Sequence, residues 1–284
     1  MKIFQAYGLE SHKNWISKVA TPLSYENLPP GTEYDLFKHI SSNNLSDDYW
    51  GLISWKFNFK SPVKVDTFQE FCKTEFTRGV DCVFINPMIV NEAIFANPWE
   101  QGVLSGHRGI KELYLDLVSK NFLTPLEVIG TNGLAFCNYF VANNSFWVRY
   151  FSFIDQILEY LEAQAKADTK IGLIYKGSAG YRKNINMTMR PFVIERLFSS
   201  FISQNSDLKV SGYQFIMEDY INKLGFVSGN FCKKLSDLKN LGLRNNDRSH
   251  LEEWQGKRVK LLKNSENLTV LYHLDDPSSN LVQI

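Results

Sequence analysis

Glu195 stands in "RPFVIERLFSSFI" (190–202), a stretch whose other polar residues are arginines and serines. Pro191 suits a first helical turn and neither Gly nor Pro interrupts the rest, so the segment is expected to be a helix. At about 100° per residue, Glu195 falls between Phe198 and Ile202 on one side and Phe192 on the other. The polar arc shrinks to Arg196, Ser200 and Ser203. A carboxylate in such a setting is costly to leave unpaired. Either it has a cationic partner, with Arg190, Arg182 and Arg149 as candidates, or it works on a substrate as a base or electrostatic stabiliser. Lys56 and Lys60 follow a strand-like stretch, and Lys176, Arg182 and Lys183 lie in a basic segment ahead of the Glu195 helix. Cations so grouped can stabilise negative charge developing on a leaving group, although each lysine alone could be a solvated surface charge.

A third cluster, "NPWEQGVLSGH" (97–107), gathers Trp99, Glu100, Gln101 and His107 in a segment that reads as a loop. An aromatic ring beside carboxylate and amide groups is a common grip for a sugar, and Glu100 is a second candidate base. The competing reading is a loop that caps its own turns. Other chemistries lack their residues. No G-x-x-x-x-G-K-[ST] or G-x-G-x-x-G loop is present, no G-x-S-x-G elbow occurs, and the four cysteines (72, 82, 137, 232) form no C-x-x-C pair. The net charge of +1 gives no field for nucleic acid. Neither a secretory leader nor an apolar run of spanning length is read, so the cytoplasm is the expected compartment.

The elements that must position these residues alternate. Strand-like runs at "KIFQAYGL", "DDYWGLISWKFNF", "VDCVFINP" and "LAFCNYFVA" are separated by amphipathic stretches at "VDTFQEFCKTEFTRG", "IKELYLDLVSKNF" and "FWVRYFSFIDQILEYLEAQAKA". That alternation predicts an α/β fold with a mostly parallel sheet flanked by helices. Ligands in such sheets sit beyond the carboxyl ends of the strands, which directs attention to the loops after Tyr7, Trp55 and Ile85 and around Asn132. From Lys233 to Lys263 nine Lys/Arg face four acids, an excess expected on a solvated helix face or against anionic headgroups.

Three stretches, taken in order, carry a family resemblance: "DDYWGLISWKF" (47–57), "VDCVFINP" (80–87), and "FCNYFVANNSFWVRYFSFIDQIL" followed by "RPFVIERLFSSFI". They resemble the G-L-x-H-Y-R-R strand, the D-v-i-x-P strand and the c-N-m-f-I-m strand, long helix and E-R-L helix of a bacterial GT-A-type glycosyltransferase family of capsule and lipopolysaccharide biosynthesis. The resemblance implies a Rossmann-like GT-A domain over 1–230, followed by a helical basic extension over 231–284. It also implies sugar transfer from a nucleotide-sugar donor to a surface glycan or lipid-linked glycan. Glu195 matches the E-R-L glutamate and would be catalytic, with Glu100 as the other candidate. Tyr7, Lys56, Lys60, Asn138 and Arg182 would meet the donor, and Trp99, Gln101 and His107 the acceptor. Ser54-Trp55-Lys56 replaces His-Tyr-Arg, leaving one cation where the family has two. A divalent ion, Mn or Mg, serves many such enzymes through a D-x-D pair, which is not evident here. Asp47-Asp48 and Asp81 stand at strand starts and Asp275-Asp276 in the tail. Peripheral contact with the inner membrane would run through 233–263. The alternative from another class is a non-catalytic carbohydrate- or partner-binding protein that kept this fold and lost the chemistry.

Overall fold

β1 (Lys2–Tyr7) is buried along most of its length, with Phe4 and Ala6 on one face of a sheet and Ile3 and Gln5 on the other. Gln5 satisfies its buried amide on backbone: Nε2 donates to Ser54 O (3.2 Å) and Oε1 accepts from Ser17 N–H (2.8 Å). A 3₁₀ turn at Glu10–Trp15 leads to β2 (Thr21–Ser24), α1 (Glu33–Ser42), β3 (Tyr49–Ser54), α2 (Phe57–Lys60) and α3 (Val65–Thr77). Then come β4 (Cys82–Phe84), α4 (Ile89–Ile94), α5 (Pro98–Leu104), α6 (Ile110–Ser119), β5 (Phe140–Asn143), α7 (Asn144–Lys166), α8 (Lys170–Lys176) and α9 (Arg190–Gln204). β6 (Val210–Gly212), α10 (Met217–Leu224), α11 (Phe226–Asn245) and α12 (Arg248–Leu262) follow. The computed structural model describes residues 1–28, 31–43, 47–180 and 187–263.

The strands form one sheet in the order β2-β1-β3-β5-β4-β6. β1 runs parallel to β2 and β3, and β4 parallel to β6, but β5 is antiparallel to both its neighbours. The α/β class holds, and five of the six strands run in one direction, as a mostly parallel sheet requires; β5 alone is reversed, which makes the sheet mixed. The cause is the buried stretch 134–139, which brings the chain to the carboxyl edge of β3 before Phe140 enters the sheet opposite Leu52. Gly51 permits the close approach of β3 and β5, because a Cβ there would lie 2.0 Å from Phe140 O.

Helices cover both faces. α1, α6, α7 and α9 pack one face through Phe37, Leu113, Trp147 and Phe198. α3, α4 and α10 to α12 pack the other through Phe68, Ile89, Tyr220, Leu235 and Trp254. Two expectations change. Residues 98–104 are helical rather than a loop, since Asn97 caps Glu100 N–H (2.9 Å) and Pro98 fills the first turn. The basic 233–263 stretch is not a plain solvated face. Lys239 is buried 3.0 Å from Glu92, and Arg258 is buried with Nη1 and Nη2 at 2.7 and 2.9 Å from Glu100. The expected division at 230/231 falls inside α11.

Candidate functional site

Strand order reverses between β1 and β3, since β2 lies on one side of β1 and β3 on the other. Open α/β sheets bind ligands at such a point, outside the carboxyl ends. A recess lies there, lined by Ala6, Glu33, Ser54, Cys137, Asn138 and Tyr139 among others. It is shallow, with about 10 Å³ of room for a water-sized sphere.

Three elements bring carboxyl, amide and ammonium groups to it. Glu33 opens α1, whose start is fixed by Asp35: its Oδ2 accepts from the Thr32 hydroxyl (2.8 Å) and backbone N–H. Burial and the neighbouring Glu195 carboxylate push the Glu33 carboxyl up to about 7, against the opposing pull of Lys60 and of an Asn138 hydrogen bond. Asn138 Nδ2 stands 3.5 Å from Glu33 Oε2. Glu195 projects from α9, where Oε1 accepts Cys137 N–H at 3.1 Å and the side chain keeps 29% exposure. Lys60, at the end of α2, brings Nζ to 3.7 Å from Cys137 Sγ.

The connection into β5 is strained. Cys137 and Asn138 take φ of 68° and 50°, the left-handed region uncommon for residues other than glycine. Buried Asn138 Oδ1 has no hydrogen-bond partner among the described residues. Tyr139 and Ser54 share a hydroxyl hydrogen bond on the floor, and burial raises the Tyr139 phenol well above its ordinary range.

The pairings proposed for Glu195 are otherwise engaged. Arg190 forks onto Asp35 at 2.8 and 2.9 Å, Arg149 binds Asp207 at 2.6 Å, and Arg182 lies outside the described residues. Arg196 Nη1 lies 3.9 Å from Glu195 Oε2. It was expected on the polar arc with Ser200, yet both are buried. Arg196 donates to Pro98 O (2.9 Å) and Gln101 Oε1 (2.6 Å), and Ser200 Oγ accepts from Trp99 Nε1 (3.0 Å). α9 therefore packs against α5 along a face that sequence periodicity assigned to solvent.

That packing corrects the second cluster. Trp99 is buried and stacked on Tyr114 (5.0 Å between centroids), so its ring offers no face to a sugar. Glu100 is held by both Arg258 nitrogens and by Ala96 N–H (2.7 Å), which removes it as a free base. Gln101 and His107 reach the site only through others. Gln101 holds Arg196, and His107 lies 4.2 Å from the Phe192 ring with Nδ1 3.3 Å from Ala179 O. Burial, with Arg196 nearby, lowers the His107 imidazole to about 4.

Of the donor candidates, Asn138 lines the recess and Lys60 reaches it through Cys137 Sγ. Lys56 lies over the Trp55 ring at 5.2 Å, and Tyr7 is buried at the end of β1, its carbonyl accepting Tyr25 N–H. Glu33, Ser54, Cys137 and Tyr139 are the site residues missed. The Thr32-x-x-Asp35 cap was the available signal for Glu33, and the other three carried none.

Among the described residues no three His, Cys, Asp or Glu side chains are grouped to hold a metal ion. Asp47 pairs with the N-terminal amine (3.0 Å) and Asp81 accepts from Asn143 and Lys209 N–H, both at amino ends of strands. Asp275-Asp276 lies outside the described residues. No described helix is long and apolar enough to cross a membrane. No protein-family model, curated protein or solved structure matches the chain.

Proposed function

We propose that the chain is a GT-A-like glycosyltransferase that moves a sugar from a nucleotide-sugar donor to a bacterial surface glycan. One observation carries the reading: two mutually interacting carboxyl groups, Glu33 and Glu195, from separate helices at the strand-order reversal, with Lys60 beside them. Lys60, with Lys56 behind it, meets the donor diphosphate. Asn138 Oδ1 accepts a hydroxyl, the donor its burial lacks. Glu33, poised near neutrality, takes the acceptor hydroxyl proton as that oxygen bonds to the anomeric carbon. The bond to the diphosphate breaks, and the nucleoside diphosphate leaves with the electron pair, its charge met by lysine. Glu195 stabilises positive charge on the sugar ring. The reading is metal-free, with lysine rather than a divalent ion meeting the diphosphate charge.

Thermal shift against a panel of nucleotides and nucleotide sugars tests the reading. A nucleoside-diphosphate sugar should raise Tm by an amount set by its concentration over Kd, and should still do so in EDTA. A panel with no stabilising member overturns it. A shift abolished by EDTA and restored by manganese overturns its metal-free form. The small recess favours a second reading, a protein that binds glycan without catalysis. Stabilisation by glycan alone, with no nucleoside diphosphate released, would decide for that.

A further inference from the structure

Large apolar side chains are bare at the corner between α10 and α11, where Phe226 is 72% exposed and Val227 80%, and Ile216 at the other end of α10 is 61% exposed. Monomeric surfaces rarely leave such groups clustered without a use. The corner is tied to the site end of the sheet, because Lys223 Nζ donates to Lys60 O (2.6 Å) and to Pro87 O. Also against α2, Trp15 is 51% exposed and rests edge-on on Phe59, with 4.7 Å between centroids. α2 thus touches both neighbourhoods, Phe59 meeting Trp15 and Lys60 O meeting Lys223.

Charge says what covers them. The segments 9–19, 56–64 and 216–234 hold eight lysines (13, 18, 56, 60, 64, 223, 233, 234) against three acids (10, 218, 219). That excess of five belongs to a chain whose total is +1, so these three segments are basic against an acidic remainder, with Lys13 paired to Glu10 and Lys233 to Asp237. Bare aromatic and branched side chains ringed by lysine match the interface of an anionic bilayer, where apolar groups enter the headgroup layer and ammonium groups meet phosphate. We infer that this face docks on an anionic phospholipid surface through Phe226, Val227 and Trp15. The inference is independent of sugar transfer. The face shares Lys233 and Lys234 with the 233–263 stretch, of which Lys239 and Arg258 are buried in ion pairs.

Vesicle co-sedimentation of the full chain tests it. Binding to phosphatidylcholine vesicles containing phosphatidylglycerol should exceed binding to phosphatidylcholine alone, and should weaken as salt shortens the screening length. Phe226→Ser with Val227→Ser should lower the partition coefficient by about tenfold or more, the scale for two apolar side chains leaving water. An unchanged Tm would show that the fold survives. Lys18→Glu with Lys234→Glu, both exposed, should weaken binding to anionic vesicles and leave the small binding to neutral ones unaltered. Equal partition of the serine variant and the parent overturns the inference, as does absence of binding to anionic vesicles. Light scattering that shows a dimer lost in the serine variant also overturns it, assigning the patch to a second copy of the chain.

Discussion

Glu33 and His107 titrate in opposite senses across the same range. Glu33 rises from its ordinary 4.5 to about 7, so the folded chain keeps a proton that the unfolded chain has lost. Its stabilising contribution is full below about 4.5 and is lost as pH rises through 7. His107 falls from 6.5 to about 4, so its contribution is full above 6.5 and is lost as pH falls through 4. Between those limits the two slopes offset. Glu33→Gln should therefore be more stable than the parent at pH 8, by about 1–3 kcal/mol, and similar to it near pH 4; urea denaturation at both values checks this. The same variant should lose about 10²-fold in turnover, and in the parent turnover should rise with a break near pH 7. A parent rate flat from pH 6 to 8 would remove Glu33 as the base. Glu195→Gln should also cost about 10²-fold. Because the Glu195 charge helps lift Glu33, the residual activity should break at lower pH. An unmoved break would mean the carboxyl groups act separately. The sequence revealed Glu195 through its apolar surroundings. It hid Glu33, which sits in "PPGTEYD" and looks like one acid of a polar loop until the chain brings Asn138 to it.

The two carboxyl groups keep their spacing because their helices are joined at the ends. Arg190 begins α9 and forks onto Asp35 in the first turn of α1, two residues from Glu33. Partial burial opposes an ionised Asp35, yet Arg190 and the Thr32 hydrogen bonds hold it down to about 2. We expect Asp35→Asn to lower stability by no more than about 1 kcal/mol, as for other partly exposed pairs. Turnover should fall by about tenfold or more, because catalysis tolerates displacement poorly. A shifted pH–rate break, with partial recovery in Asp35→Glu, would mark the fork as a positioning device rather than a plain staple. Helices with a long amphipathic stripe, α3, α6, α7 and α9, were legible from period alone. The direction of β5 was not. "LAFCNYFVA" is apolar throughout, so nothing in it records the edge from which it enters, and only Phe140 to Asn143 pair in the sheet. α5 was lost for another reason: its glycine, polar residues and seven-residue length read as loop, although Asn97-Pro98 marked its start.

At the scale of the molecule, the sequence suggested an appended helical basic extension, and in the structure α11 and α12 close one face of the sheet. α11 and α12 anchor there through Lys239, Trp254 Nε1 on Ala93 O (2.8 Å) and Arg258. Counting charge along a chain does not tell which cations face acids remote in sequence, and Glu92 gave no sign of being one. Lys239→Met should destabilise by about 3–5 kcal/mol, because it strands a buried carboxylate. Adding Glu92→Gln should restore most of that loss, as denaturation of the pair of variants would show. A neutral Lys239→Met would mean that water reaches Glu92. The pairing also has a clock. Lys239 lies 147 residues after Glu92, and at roughly 5–20 residues per second a ribosome delivers it about 7–30 s later. Through that interval the nascent sheet lacks one of its covering layers, which exposes Val83 and Ile89 to whatever binds apolar chain. The protein should therefore be a client of holding chaperones during synthesis, and slowing translation between those two codons should lower its soluble yield.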